Sequence, residues 1–449
     1  MKKNDYFTAK CIDLTHDGRG VVKVNDFTYF VSGLLIGETA QLKVIKVLKN
    51  YAIARVIEII EVSPHRIKPL CEIYKQCGGC HLQQLNQAGQ QLFKTKRVKD
   101  CMERIAKCFT LVQDCHMMDD PWFYRNKVQV PVGQKNYELV SGFYKQNTND
   151  IVPCDFCYIQ NEASNEITKF VRQQLESVKE RAYDKVSKQG NIRHILTKFG
   201  FSTNEVMVVI ITRQKQIKEL SKIVENIKKA FPNVKSIIHN INSKDDNVIL
   251  GAQVRTIFGN DYIEDVLLGN RYRISLKSFY QINPPQVEYL YSKAIELANL
   301  SKEDIVIDAY CGIGTIALSL AKHVKKVHGV EVIPQAIVDA KENAQRNGIQ
   351  NAKFTCLDAG EFMIEQAKKQ NNIDVVFVDP PRKGCSKDFL EACITLKPKK
   401  IVYISCDVAT QARDMVTLQA AGYEAKFIQP VDLFPHTHHV ETVCLLERL

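Results

Sequence analysis

The sequence predicts a multidomain chain ending in a doubly wound, Rossmann-like α/β sheet. Three observations carry this. Residues 5–60 hold short alternating apolar runs cut by glycine turns, residues 64–160 are marked by cysteines, and from about residue 285 strand-like and helix-like segments alternate regularly. The expected division is a small OB-like β-barrel over 1–62, an α+β central region over 63–284, and a mainly parallel sheet with helices on both faces over 285–449.

The barrel rests on Phe27-Thr28-Tyr29-Phe30-Val31, Ala40 to Val47 and Tyr51 to Val56, with turns at Gly18-Arg19-Gly20 and Gly33 to Gly37. Ser63-Pro64-His65-Arg66 ends the pattern. Gln83 to Lys107 reads as a helix with a basic face of Lys94, Lys96, Arg97 and Lys99. Val206 to Ile211 reads as a strand and Gln216 to Ala230 as a helix. Beyond residue 285, strands are expected at 304–308, 326–331, 352–356, 374–378, 400–404, 424–428 and 440–447.

At 449 residues, with 45% apolar and 25% charged content, the composition is that of a soluble globular protein. No apolar run approaches the roughly 18 residues a membrane helix needs. The polar start Met1-Lys2-Lys3-Asn4-Asp5 has no signal-peptide pattern. The expectation is a cytoplasmic protein with no membrane partner, and nothing implies a protein partner. Net charge is +11; residues 301–449 hold 18 basic against 19 acidic side chains, whereas the first 300 hold 43 against 31. A positive excess confined to the front of the chain suits a polyanion such as RNA. Arg125-Asn126-Lys127, after the aromatic run Trp122-Phe123-Tyr124, is the candidate contact segment.

Asp308-Ala309-Tyr310-Cys311-Gly312-Ile313-Gly314 follows the strand Ile305-Val306-Ile307. Its glycines let backbone approach a ligand, and the helix that follows presents its N-terminus. The next strand ends in Glu331, where a carboxylate can accept hydrogen bonds from ribose hydroxyls. NAD would use a similar site, but the third glycine of G-x-G-x-x-G is Ala317 here. S-adenosylmethionine (SAM), which has no pyrophosphate, is the better match.

Asp379-Pro380-Pro381-Arg382 leaves the strand ending at Val378, and the prolines stiffen that exit. Methyltransferases acting on exocyclic amines have an aromatic residue after the prolines, so Arg382 argues against that chemistry. Ile401 to Ser405 then runs into Cys406, a cysteine at a strand's carboxyl end. Methylation of uracil C5 needs such a thiol. A thiolate adding to C6 activates C5 toward the methyl group, and a base then removes the C5 proton. Ser405 and the helix start after Asp407 would help polarise the thiolate. Glu441, opening the last strand, is the expected base. His436, His438 and His439 lack regular metal-ligand spacing.

Cys71, Cys77 and Cys80, with Cys154 and Cys157 downstream, suggest a metal centre in a reducing compartment. Thiolates with glycines between them suit a 4Fe–4S cluster, and four cysteines also suit zinc.

In this order the motifs resemble the RNA uracil-C5 methyltransferase family, together with Ser278-Phe279-Tyr280-Gln281-Ile282-Asn283 and a TRAM-like start at Gly18-Arg19-Gly20-Val21 and Val31-Ser32-Gly33. The resemblance spans nearly the whole chain. It implies SAM contacts from Gln281, Tyr310, Glu331 and Asp379, Cys406 as nucleophile and Glu441 as general base. It implies a 4Fe–4S cluster on Cys71, Cys77, Cys80 and Cys157, with Cys154 as a bystander. This chain has Asp407-Val408 where the family has Asn-Pro or Asp-Pro, and Ala309 where leucine commonly precedes the tyrosine. TRAM-like and cysteine regions together resemble bacterial 23S ribosomal RNA enzymes more than the transfer-RNA branch, so 23S ribosomal RNA is the expected substrate. The alternatives are transfer RNA and, in another class, a non-catalytic iron–sulfur RNA-binding protein.

Overall fold

The computed structural model describes all residues, 1–449. The first unit is β-rich, with β1 (Tyr6–Lys10), β2 (Asp13–Leu14), β3 (Gly20–Val24), β4 (Phe27–Ser32), β5 (Thr39–Val47) and β6 (Tyr51–Glu61). Their order is β1-β5-β6-β4-β3-β2, antiparallel except for β4 beside β6. Alternate side chains, among them Val22, Tyr29, Val31, Leu42, Val44 and Ala54, form its core. The unit is sealed at the expected break. Buried Glu38 accepts from Leu35 N at 2.8 Å and pairs with Arg66, whose Nη2 lies 2.7 Å from its carboxylate.

Helix α1 (Gln87–Cys101) starts later than the sequence suggests, because Asn86 caps it by accepting from Gly89 N at 2.8 Å. Its last stretch, Met102–Ala106, widens into a π-turn ending at Lys107 with φ 51°. The expected basic face is not a free surface. Lys94 is fully buried, donating to Asp432 and, at 3.1 Å, to the Phe434 carbonyl, and Arg97 donates to the His438 carbonyl. The helix therefore grips the loop before residue 441. Only Lys96 and Lys99 keep their amines toward solvent, paired with nearby carboxylates.

The central sheet comprises β7 (Lys127–Lys135), β8 (Glu138–Tyr144), β9 (Ile151–Pro153), β10 (Ile192–Phe199), β11 (Val206–Thr212), β12 (Val234–Ile241) and β13 (Gln253–Gly259), with α2 (Glu162–Ser177) and α3 (Leu220–Ala230) on one face. Strand β11 is buried on both faces and explains the layering. Val206, Val208 and Ile210 point toward the helices, while Met207, Val209 and Ile211 join the core of the next layer. The hairpin β14 (Tyr262–Leu267) and β15 (Asn270–Ser275) packs into that same core.

After α4 (Pro284–Ala298) the alternation arrives as expected. It runs β16 (Ile305–Ala309), α5 (Thr315–Ala321), β17 (Lys326–Glu331), α6 (Pro334–Arg346), β18 (Ala352–Cys356), α7 (Ala359–Lys368), β19 (Val375–Val378), α8 (Lys387–Leu396), β20 (Lys400–Ser405), α9 (Val408–Ala420), β21 (Tyr423–Val431) and β22 (Glu441–Arg448). The order is β18-β17-β16-β19-β20-β22-β21, with β22 antiparallel to both neighbours. The direction of winding reverses at β16, and open α/β sheets bind ligands beyond such a point. No helix is long and apolar enough to cross a membrane.

Candidate active site and cysteine cavity

Tyr310 follows β16 in the left-handed region at φ 66°, and Gly312 and Gly314 follow at 54° and 86°. That sharp exit turns the backbone back toward Glu331. Its carboxylate accepts from Gly312 N at 3.2 Å and Ile333 N at 3.0 Å, leaving acceptor capacity unused. The helix start is less open than expected, because Ala317 N already donates to Asp308 Oδ2 at 2.8 Å. The other oxygen of fully buried Asp308 has no partner. A β-carbon at Gly312 would meet nothing within 4 Å, so the turn is open to a ligand.

Asp379 leaves β19 and sits half-buried against Gln281, whose Nε2 donates to it at 3.4 Å. Burial pushes the Asp379 carboxyl up to about 7, with the Gln281 amide working the other way. Gln281 is placed by Asn126, a residue that the sequence suggested for RNA contact instead. Asn126 Nδ2 donates to the Gln281 carbonyl at 2.8 Å, and Asn126 N to Ile282 O at 3.0 Å. Lys198 Nζ reaches the carbonyls of Ser275 (2.6 Å) and Ser278 (2.9 Å), and Asn283 Nδ2 reaches that of Leu433 at 3.1 Å. These partners are far apart in sequence, so no local signal pointed to them.

Cys406 and Glu441 meet through strand register. Ser405 of β20 pairs with Thr442 of β22, so the residue after the first and the residue before the second adjoin at the sheet's edge. Thr442 Oγ1 donates to Gln411 at 2.6 Å and Gln411 Nε2 to Tyr403 O at 2.9 Å, locking both strands to α9. Burial, then the charges of Glu441 and Asp379, push the Cys406 thiol up to about 12, and Arg382 acts against them. Burial and Asp379 push the Glu441 carboxyl well above the usual carboxylate range. The expected help from Ser405 and the helix start is absent. Asp407 takes Ala409 N and Thr410 N, both at 3.1 Å, and Ser405 Oγ accepts from Asp407 N.

The second constellation is a cavity of about 300 Å³ lined by Cys71, Cys77, Cys80, Cys154 and Cys157. All five are free thiols, and no three metal-binding side chains converge as ligands of a single ion. Arg125 and Lys127 line this cavity and Asn126 is buried, so the expected RNA-contact segment is an internal wall rather than a free surface.

A sheet of this order, with an acid closing the second strand and a glycine turn after the first, defines a SAM-dependent methyltransferase. A family model described as tRNA (Uracil-5-)-methyltransferase matches residues 89–449. An uncharacterized RNA methyltransferase of Halalkalibacterium halodurans is 44% identical over 448 residues, covering 100% of this chain and 98% of its own. One of Staphylococcus aureus is 44% identical over 447 residues, covering 99% and 98%. The structure of the Pyrococcus abyssi tRNA (uracil-54, C5)-methyltransferase in complex with S-adenosyl-L-homocysteine superposes with a TM-score of 0.79 at 25% identity, covering 98% of this chain and 100% of that one. The chain belongs to the RNA (uracil-5-)-methyltransferase family.

Proposed function

We propose that this enzyme methylates uracil C5 in 23S ribosomal RNA through a covalent bond between Cys406 Sγ and C6 of the base. The observation that carries the reading is the register of β20 on β22, which brings the Cys406 thiol beside a buried carboxyl. In this reading residues 1–62 form a TRAM-like unit, 63–284 the RNA-binding centre and 285–449 the methyltransferase unit.

Bound SAM supplies an electrophilic methyl group. Gln281, Tyr310, Glu331 and Asp379 would hold it. Val332 and Ile333, 61% and 56% exposed beside Glu331, offer apolar surface to an adenine ring. The Cys406 thiol gives its proton to solvent, its thiolate adds to C6, and the electron pair displaced from the C5–C6 double bond makes C5 nucleophilic. After C5 is methylated, Glu441 takes the C5 proton and the C6–Sγ electrons return to Cys406. A carboxyl held above its usual range is the stronger base for that step. Flipping the uridine out brings it to this edge. Phe279, 69% exposed between buried Ser278 and Tyr280, offers a stacking face.

Cys71, Cys77, Cys80 and Cys157 would hold a 4Fe–4S cluster, with Cys154 beside it. A single zinc needs ligands at about 2.3 Å; a roomy cavity without converging ligands suits the larger centre better.

A transfer-RNA substrate is the second reading. The Pyrococcus abyssi protein, named for transfer RNA, overlays nearly the whole chain, so overall architecture does not separate the two substrates. The ribosomal reading rests on the resemblance to bacterial 23S enzymes. Mapping 5-methyluridine in cells lacking this protein decides. Loss from 23S ribosomal RNA alone is expected, and loss from transfer RNA alone replaces the substrate.

A further inference from the structure

The cysteine cavity holds a cation that no carboxylate of the chain balances. Arg125 leaves the buried aromatic Tyr124 and is fixed by its backbone, donating to Ile159 O at 3.0 Å and accepting from Asn161 N at 3.2 Å. Its side chain lines the cavity beside the five cysteines. Its Nε is buried with no hydrogen-bond partner. The groups that act on it electrostatically are Tyr124, Cys80 and Cys157, with no carboxylate among them. Most other enclosed cations of this chain have partners. Lys94 has Asp432, Arg66 has Glu38, and Lys198 and Arg193 have backbone carbonyls. Lys127, on the same cavity wall, has none, but a buried ammonium can shed its proton.

A guanidinium does not shed its proton in a protein, so burial cannot neutralise it as it would a lysine. Enclosed cations are held by anions or by saturated hydrogen bonding. Arg125 has no anion from the chain itself, only the Tyr124 hydroxyl and ring beside it, and it faces thiols. Thiols that ligate a metal do so as thiolates. A four-iron centre on four thiolates carries net negative charge and gains one more when reduced. Charge and hydrogen bonds near the sulfurs are the terms by which a protein sets such a centre's potential.

We propose that Arg125 is the counter-charge of the cysteine centre. Its guanidinium stabilises the thiolates of Cys80 and Cys157 and holds the centre's reduction potential up. The proposal rests on the iron–sulfur reading above, and it gives that cavity a fifth functional side chain which is not a ligand.

The test uses the full chain purified anaerobically as wild type, Arg125→Lys and Arg125→Gln. Iron, sulfide, the midpoint potential and the rate of iron release in air are measured for each. Removing the positive charge should disfavour the more negative, reduced state. Arg125→Gln is therefore expected to shift the one-electron equilibrium about tenfold toward the oxidised form, a fall of about 59 mV, and to release iron about tenfold faster. Arg125→Lys, whose ammonium the anionic centre would keep charged although burial opposes it, should stay within about threefold of wild type on both measures. An Arg125→Gln protein with wild-type potential and iron release overturns the proposal while leaving the cluster in place. So does an Arg125→Gln chain that fails to fold with or without iron, since that marks a packing role. A wild-type protein without iron overturns the cluster reading itself, and this inference with it, before any variant is made.

Discussion

Cys406 is half-buried beside two carboxyls, and burial first, then those carboxyls, sets how it reacts. Burial and the carboxyls of Glu441 and Asp379 hold its thiol near 12, and the exposed Arg382 is the neighbour that opposes them. Thiolate is the reactive form. Alkylation of Cys406 by iodoacetamide should thus climb about tenfold per pH unit between about pH 7 and pH 10, without a plateau. Arg382→Met should slow it about two- to threefold at fixed pH, a small effect because solvent screens an exposed charge. Mass spectrometry of the Cys406 peptide reads both. A plateau near pH 8 would mean that the thiol is not held up. The sequence made Cys406, Glu441 and Asp379 visible as strand-end residues. It misjudged the thiol's state, because the cap at Asp407 and the facing carboxyls depend on how distant strands come together.

Helix α1 illustrates how an element's role escapes its own pattern. Its basic residues read as a solvated RNA-facing stripe, yet Lys94 and Arg97 anchor the loop that delivers Glu441, with partners more than 330 positions away. Gln90 completes the grip, accepting from His436 N at 3.0 Å. The Lys94–Asp432 pair is enclosed on both sides. Breaking such a pair by removing one partner costs about 3–5 kcal/mol, whereas replacing both costs far less. Lys94→Met should therefore lower stability by about that amount, and Lys94→Met with Asp432→Leu should recover most of it. Denaturant unfolding of wild type, both single variants and the double variant checks this, and additive losses would mean that the pair does not couple the helix to the loop. Elements with strict periodicity were legible, and strands β16 to β20 lie within a residue of expectation. Helix ends were less so, because capping by Asn86 decides where α1 begins.

Across the whole molecule, cores run through the boundaries that the sequence suggests. Leu196, Met207 and Val209 of the central sheet share one core with Val306, Phe377 and Ile404 of the C-terminal sheet, and Val98, Met102 and Cys115 share another with Ile428 and Cys444. Period-two burial on both faces of β11 makes this possible, but the sequence alone does not say what lies on the second face. Asn126 is where that continuity reaches chemistry. Its neighbour Arg125 lines the cysteine cavity, and its own amide holds Gln281 against Asp379. The cysteine cavity and the candidate methyl-transfer site thus meet around a few residues.

The central claim is that Cys406 and Glu441 divide the work, one bonding the base and the other releasing it. The most direct measurement is the fraction of Glu441→Gln protein recovered as a denaturant-stable RNA adduct after incubation with substrate RNA and SAM. Methyl transfer can proceed without the carboxylate, but removal of the C5 proton stalls. The expected result is an accumulating adduct that carries a methylated uridine and disappears when Cys406→Ala is added to the same chain. Turnover at the wild-type rate, with no adduct, would contradict the assignment.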